Sequence, residues 1–314
     1  MVRIVLAGGA GNVGREILDG LVAKGTHELI VFTRSEASKL TLQGVTVVQV
    51  DYNDTANLTR HLQGVGAVLS FIVSHSDPEG TAQKNLIDAS IAAGVRRFAP
   101  SEWGLRSNSG SPHYKSKDIV HEYLQEVNRD KKVLEYCLFQ PGLFLNYFSL
   151  PYPSTTHVQL FNTPWDLQNR RVIAPADGDF PITLTTVQDL TRVVVEAIDY
   201  KDVWPERGGI TGTTTTNFEL LKLLQLIRGP FKIETVSRAD LEAGKLNTSW
   251  IPQADHPAIP PEMRATVSES MTASLLLSAL RGAFAVTDEW NQLLPHLQFT
   301  KAEDFLTDIW KDKM

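Results

Sequence analysis

Two hydrophobic periods alternate along the first 140 residues. Val2–Ala7, Leu29–Thr33, Thr46–Val50, Ala67–Val73, Arg96–Pro100 and Val133–Phe139 are short runs rich in apolar and β-branched residues. Runs of this length predict strands buried on both faces. Between them apolar residues return every three or four positions. Gly14–Lys24 carries Ile17, Leu18, Leu21 and Val22, and Gly80–Ala93 carries Leu86, Ile87, Ile91 and Ala92 ahead of a stop at Gly94. Lys117–Asn128 carries Ile119, Val120, Tyr123, Leu124 and Val127, and a further helix is predicted over Asp54–Leu62 after a capping signal. These segments predict amphipathic helices with marked ends. Strand–helix alternation means βαβ units, and right-handed crossovers make them an α/β fold with a doubly wound parallel sheet.

The second half reads differently. Residues 151–181 are rich in Pro, Thr and Asn, with one strand predicted at Arg171–Ala174. A strand is predicted near Gly209–Thr211, and helices over Val187–Ala197, Asn217–Ile227, Glu269–Arg281 and Lys301–Trp310. Four prolines between Trp250 and Pro261 predict a loop or lid. The expected division is residues 1–152 with about 183–212 as one domain, and about 153–182 with 213–314 as a smaller mixed substrate-binding region.

Composition narrows the function classes. The 314 residues carry a net charge of −6, with 42% hydrophobic and 21% charged residues, as in soluble globular proteins. An acidic balance argues against nucleic acid, which needs a basic surface. No apolar run approaches the ~20 residues of a membrane helix. No charged segment with a long apolar stretch opens the chain, so a cytoplasmic location is expected. The single cysteine, Cys137, excludes an internal disulfide and is expected in the core. The histidines show no metal-ligand spacing, so no metal site is expected. Monomer and homodimer both stay open.

The chemistry begins at Gly8-Gly9-Ala10-Gly11-Asn12-Val13-Gly14, between the first strand and the first helix. Gly8 suits a tight turn, Gly11 lets backbone approach a pyrophosphate, and Gly14 lets the helix pack closely. Gly8, Ala10, Gly11, Asn12 and Val13 are therefore candidate cofactor contacts, with amide groups and the helix dipole facing phosphate. The strand–turn–helix context is that of an NAD(P)-binding Rossmann unit. NAD-binding chains place Asp or Glu after the second strand, whereas this chain has Thr33-Arg34-Ser35. A guanidinium grips a 2′-phosphate, with Lys39 as a second cation, so NADP(H) is the expected cofactor. Glu36 complicates this unless it points outward. Ser70 and Phe71 are expected near the adenine ribose, and Asp51 either approaches the adenine or caps a turn.

With these residues in view, the chain resembles the NmrA-like and isoflavone-reductase-like group of atypical short-chain dehydrogenases. Residues 83–104 read QKNLIDASIAAGVRRFAPSEWG, close to a family signature ending in PSEFG, with Trp103 in place of Phe. Gln140-Pro141-Gly142-Leu143-Phe144 resembles the segment passing the nicotinamide end, which makes Pro141 and Gly142 candidate cofactor contacts, and Thr185–Ala197 resembles the following helix. The likeness covers residues 1 to about 215. It implies a functional lysine at a helix start after the PSEFG loop. Lys117 fits that position, with Lys115 as its rival; Tyr114 stands three residues before Lys117, so the Tyr-x-x-x-Lys pair is absent. Such a lysine bonds the nicotinamide ribose or moves a proton. Glu102 is an acid or base or a loop-holding side chain, His75 lines the pocket or is exposed, and His113 and His121 form a relay or lie at the surface. Phe144, Tyr147, Phe148, Tyr152, Phe161 and Trp165 line an apolar pocket or pack the core. The expected function is NADPH-dependent reduction of a small aromatic, phenolic or polyketide-like molecule at C=O, C=N or C=C. The alternatives are a non-enzymatic NADP(H)-binding redox sensor and a flavin- or quinone-directed reductase.

Overall fold

The computed structural model describes residues 1–39, 41–111, 114–254 and 261–313. The first half runs β1 (Arg3–Ala7), α1 (Asn12–Lys24), β2 (Glu28–Thr33), β3 (Thr46–Gln49), α2 (Thr55–His61), β4 (Ala67–Ser70), α3 (Thr81–Ala93), β5 (Arg97–Ala99), α4 (Lys115–Val127) and β6 (Glu135–Tyr136). The six strands form one sheet in the order β3-β2-β1-β4-β5-β6, with every neighbouring pair parallel. The order reverses between β1 and β4, and doubly wound sheets bind ligands in the crevice outside the strand ends at that point.

The apolar runs explain this sheet. Ile4 and Leu6 of β1 pack with Ile17, Leu21 and Val194 on one face. Val5 and Ala7 pack with Leu86 and Leu124 on the other. A strand apolar from Ile4 to Ala7 can therefore satisfy two cores, each buried Ile or Leu contributing about 1.5–3 kcal/mol. Gly94 ends α3 with φ +73°, where the sequence placed a stop, and Asp54 is the cap of α2 rather than its first residue, accepting from the Asn57 amide at 2.9 Å.

The second half comprises β7 (Leu138–Gln140), β8 (Leu143–Phe144), β9 (Trp165–Asp166), β10 (Arg171–Pro175), β11 (Pro181–Thr185), α5 (Val187–Asp199), β12 (Arg207–Gly209), β13 (Thr213–Thr216), α6 (Asn217–Arg228), β14 (Lys232–Val236), α7 (Arg238–Glu242), α8 (Arg264–Leu280), α9 (Glu289–Leu293) and α10 (Ala302–Trp310). Three small sheets result, β14-β10-β9, β13-β11-β8 and β12-β7. The stretch predicted as one strand at Val133–Phe139 divides in two. β6 pairs with β5; beyond Cys137, which is fully buried, β5 has ended and β7 pairs with β12 instead. Strands β11, β13 and β14 carry no apolar run long enough to announce them, and β13 is four threonines. Helix α8 begins five residues before the predicted Glu269. Half of the segment predicted as a loop or lid, residues 255–260, lies outside those described. Among the described residues no helix is long and apolar enough to cross a membrane, and no His, Cys, Asp and Glu cluster could hold a metal.

Candidate functional site

The Gly-rich turn sits at the β1 end of the crevice. Gly8 has φ +78° and donates its N–H to the Phe32 carbonyl at 2.9 Å. A Cβ on Gly14 would lie 2.9 Å from both Gly9 Cα and the Phe71 ring, so packing alone demands that glycine. Gly11 is different: the nearest atom to a Cβ there is the Gly8 carbonyl oxygen at 3.9 Å. Among the described residues nothing fills that space. Gly11 caps α1 with extended backbone, and among the described residues no side-chain hydrogen bond caps the helix start. Asn12, exposed, opens the helix at φ +28°, a conformation asparagine tolerates, and Ala10 and Val13 flank it half-buried. An uncapped helix start beneath open space suits an anion, so these residues fit a dinucleotide pyrophosphate.

At the ends of β2 and β3 lies a depression of about 400 Å³ lined by Arg34, Gln49, Val50, Asp51, Asp54 and Asn57. Its carboxylates are committed to local turns. Asp51 accepts from the Asn53 amide at 2.9 Å and from its side chain at 3.0 Å, and Asp54 caps α2. Arg34 is exposed, and among the described residues it makes no ion pair. Behind it the buried Tyr52 hydroxyl lacks a hydrogen-bond partner; burial pushes it up and Arg34 opposes that shift. Lys39 does not line the depression. Its ammonium pairs with Glu36 at 3.2 Å, both side chains well exposed. Glu36 thus faces solvent rather than the depression.

The Pro100–Gly104 loop is fixed from three directions. The Ser101 amide donates to the Gln83 side chain at 2.8 Å. The Trp103 indole donates to the Ser70 carbonyl at 2.7 Å, while Ser70 Oγ accepts from the Ile72 amide at 3.5 Å. Trp103, at φ +43°, lies nearly parallel to Phe71 at 4.7 Å and to Phe139 at 5.5 Å. The tryptophan thereby braces Ser70 at the end of β4 and Phe71 just beyond it against Phe139 of β7.

From this loop a polar cluster reaches α4. Lys117 Nζ donates to the Glu102 carbonyl and sits 4.4 Å from the centre of the Tyr114 ring. The Glu102 carboxyl, 2% exposed, accepts from Gln140 Nε2 at 2.9 Å, and the same nitrogen lies 3.4 Å from Ser107 Oγ. Tyr114 Oη accepts from the Leu105 amide at 2.8 Å. Burial lowers the Lys117 ammonium and raises the Glu102 carboxyl, and their mutual attraction opposes both shifts. Lys115 is exposed. Pro141 is buried, and Gly142, at φ +73°, donates to the Gly104 carbonyl at 3.1 Å. A Cβ on Gly142 would meet the Thr183 carbonyl at 2.4 Å.

Other predicted residues separate here. His121 is 3% exposed, has Asn108 Nδ2 3.0 Å from its Nδ1, and is held below the usual histidine range by burial. His75 is exposed, and His113 lies outside the described residues. Phe148 and Trp165 pack a third core with Phe180 and Phe284, and the space between them and Tyr147 is about 20 Å³, room for a water at most. Phe144 is buried in the first core, and Tyr152 packs edge-on against Trp310 at 5.2 Å. Tyr147 and Phe161 touch at 3.9 Å, and Phe161 stays 41% exposed. Gln140, Ser107 and the Tyr114 hydroxyl were not legible as site members, because their partners lie up to 38 residues away.

The sheet order and the glycine turn define a Rossmann-type α/β protein. The chain belongs to the NmrA-like family, whose model matches residues 2–226, so the resemblance carried by residues 83–104 holds. It is 30% identical to an oxidoreductase named BOA1 from Botryotinia fuckeliana, over 73% of this chain and 77% of that protein. It is 24% identical to an oxidoreductase named swnN from Metarhizium robertsii, over 99% of this chain and 98% of that one. Among solved structures, the NADPH complex of an NADPH-dependent quinone oxidoreductase from Escherichia coli superposes with a TM-score of 0.70 at 21% identity, covering 98% of this chain and 100% of that one.

Proposed function

We propose that the protein is an NADPH-dependent reductase of a small aromatic, phenolic or polyketide-like molecule. The observation that carries this reading is the half-buried Lys117 ammonium, held at the Glu102 carbonyl beside the crevice. Gly8, Ala10, Gly11, Asn12 and Val13 hold the pyrophosphate, and Arg34 pairs with the 2′-phosphate. When bound, the nicotinamide supplies a hydride to C=O, C=N or C=C. Lys117 holds a proton at Nζ for the substrate atom that gains charge; positioned acids of this kind contribute about 10²–10⁴-fold. Tyr147 and Phe161 give the apolar approach for an aromatic substrate. The oxidoreductase names of the fungal relatives support the same reading.

The test follows NADPH oxidation across quinones, phenolic enones and ketones. Lys117→Ala is expected to lose at least about 100-fold in turnover, while Lys115→Ala keeps it. The reverse pattern overturns the assignment. Tight NADP(H) binding with no turnover on any acceptor favours the redox-sensor reading instead. Arg34→Asp is expected to weaken NADPH more than NADH, and an equal loss for both removes the 2′-phosphate role.

A further inference from the structure

Two groups meet the Lys117 ammonium. The Glu102 carbonyl accepts from it, and the Tyr114 ring lies against it, 4.4 Å from nitrogen to ring centre. An aromatic face attracts a cation within about 6 Å, and more strongly where water is excluded. Tyr114 caps α4 and Lys117 stands three residues on, so the two side chains share one side of the helix start. What fixes the ring is its hydroxyl. Tyr114 Oη accepts from the Leu105 amide at 2.8 Å, and a Cβ on Gly104 would lie 2.5 Å from the same oxygen. The backbone of Gly104 lies outside the left-handed region, so its own conformation does not demand glycine. The tyrosine hydroxyl does, because it occupies the space a side chain would take. The edge of the ring packs on the third core, which leaves a face for the lysine.

We propose that Tyr114 is the positioning residue of Lys117: its hydroxyl locks the ring onto Gly104 and Leu105, and the face of that ring is the seat that holds the ammonium beside the Glu102 carbonyl. Tyr114 transfers no proton itself. Its hydroxyl is spent on the loop, and it acts on the lysine through its ring. The inference deepens the reductase reading and rests on it for its kinetic consequence alone.

The decisive measurement needs neither cofactor nor turnover. Protons above an aromatic face resonate upfield of their ordinary position. Protein labelled with ¹³C at lysine Cε is observed by NMR, and the Lys117 signal is assigned by its absence in Lys117→Ala. The Lys117 Hε protons are expected upfield of the other lysines in the wild type. Tyr114→Phe keeps the ring and keeps that shift, whereas Tyr114→Leu returns the protons to the ordinary lysine position. Gly104→Ala keeps the test available if Tyr114→Leu does not fold. Its methyl drives the hydroxyl away, so the upfield shift is reduced, and Tyr114→Phe in the same chain restores it by removing the oxygen that clashes. An ordinary Lys117 position in the wild type, or an upfield shift that survives Tyr114→Leu or Gly104→Ala unchanged, overturns the inference. In turnover, Tyr114→Leu is expected to lose on the order of tenfold in kcat, the size of a desolvated cation–π contact, and Tyr114→Phe to retain most of it. Equal kcat in the two variants overturns the positioning role. Full activity in Lys117→Ala instead removes the reductase role of the lysine, whatever the spectra give.

Discussion

At the scale of single residues, Trp103 shows how one side chain can serve packing and polarity together. Its ring is stacked between Phe71 and Phe139, and its indole N–H satisfies the Ser70 carbonyl across 33 residues of sequence. Trp103→Phe keeps an aromatic ring in the stack and leaves a buried carbonyl without its donor, an expected loss of about 1–3 kcal/mol. Trp103→Ala also opens a cavity and is expected to cost about 3–5 kcal/mol. Urea unfolding of both variants checks the order; equal losses would remove the hydrogen bond from the account. The departure from the family's Phe was visible in the sequence. Its partner was not, because pairing across the sheet depends on where β4 and β7 end.

At the scale of elements, the glycine turn separates what the fold needs from what a ligand needs. Gly14→Ala drives a methyl against Gly9 Cα and the Phe71 ring, and overpacking of this kind costs about 1–3 kcal/mol. Gly11→Ala points its methyl into open space and is expected to lose less than about 1 kcal/mol, the size of a weaker helix cap. NADPH affinity is expected to fall in Gly11→Ala even so. Denaturation and NADPH titration of the two variants test this, and unchanged NADPH affinity in Gly11→Ala would remove the phosphate cradle.

Strand β14 supplies a pH-dependent contact. The Ser249 hydroxyl and amide, with Lys232, hold the Glu234 carboxyl at about 2, below its ordinary 4.5. A depressed carboxyl stabilises the fold above its unfolded value, and the contribution is lost as pH falls through the folded one. The Tm difference between wild type and Glu234→Gln is therefore expected at pH 6 and should shrink steadily from pH 5 toward pH 2. A gap independent of pH would show that the carboxylate charge plays no part.

At the scale of the whole molecule, a buried ion pair ties the sheet to the chain beyond α5. Arg97 meets Glu135 at 2.7 Å, both nearly buried. Its other nitrogens donate to the carbonyls of Ile198 at 3.2 Å and Asp202 at 2.6 Å, and Glu135 accepts from the Trp204 amide at 2.9 Å. Arg97→Met takes the close partner from a buried carboxylate, leaving it Arg96 at 3.8 Å, and is expected to cost about 3 kcal/mol, with part recovered in the double variant carrying Glu135→Gln. Additive losses in that cycle would deny the coupling. A second tie crosses α1: Glu16 collects the successive amides of Thr156, His157 and Val158 at 2.8, 2.7 and 3.2 Å. Neither tie leaves a periodic trace in the sequence, since each joins charged side chains to groups distant along the chain.

The sequence by itself determined the doubly wound sheet, because apolar runs and helical periods are local signals, each set by burial within one segment. It determined the glycine turn for the same reason, with Gly8 to Gly14 lying between a strand and a helix. Tertiary structure alone decided the buried but threonine-interrupted β11 and the more exposed β13 and β14, whose pairing comes from neighbours rather than from hydrophobic pattern. It also decided the surroundings of Lys117. The lysine was legible at a helix start, but the Glu102 carbonyl, the Tyr114 ring and the Gln140 amide reach it and its loop only once α4, β5 and β7 are packed side by side. Charge, burial and distance exist only in that packed arrangement, and they are what make one of two neighbouring lysines different from the other.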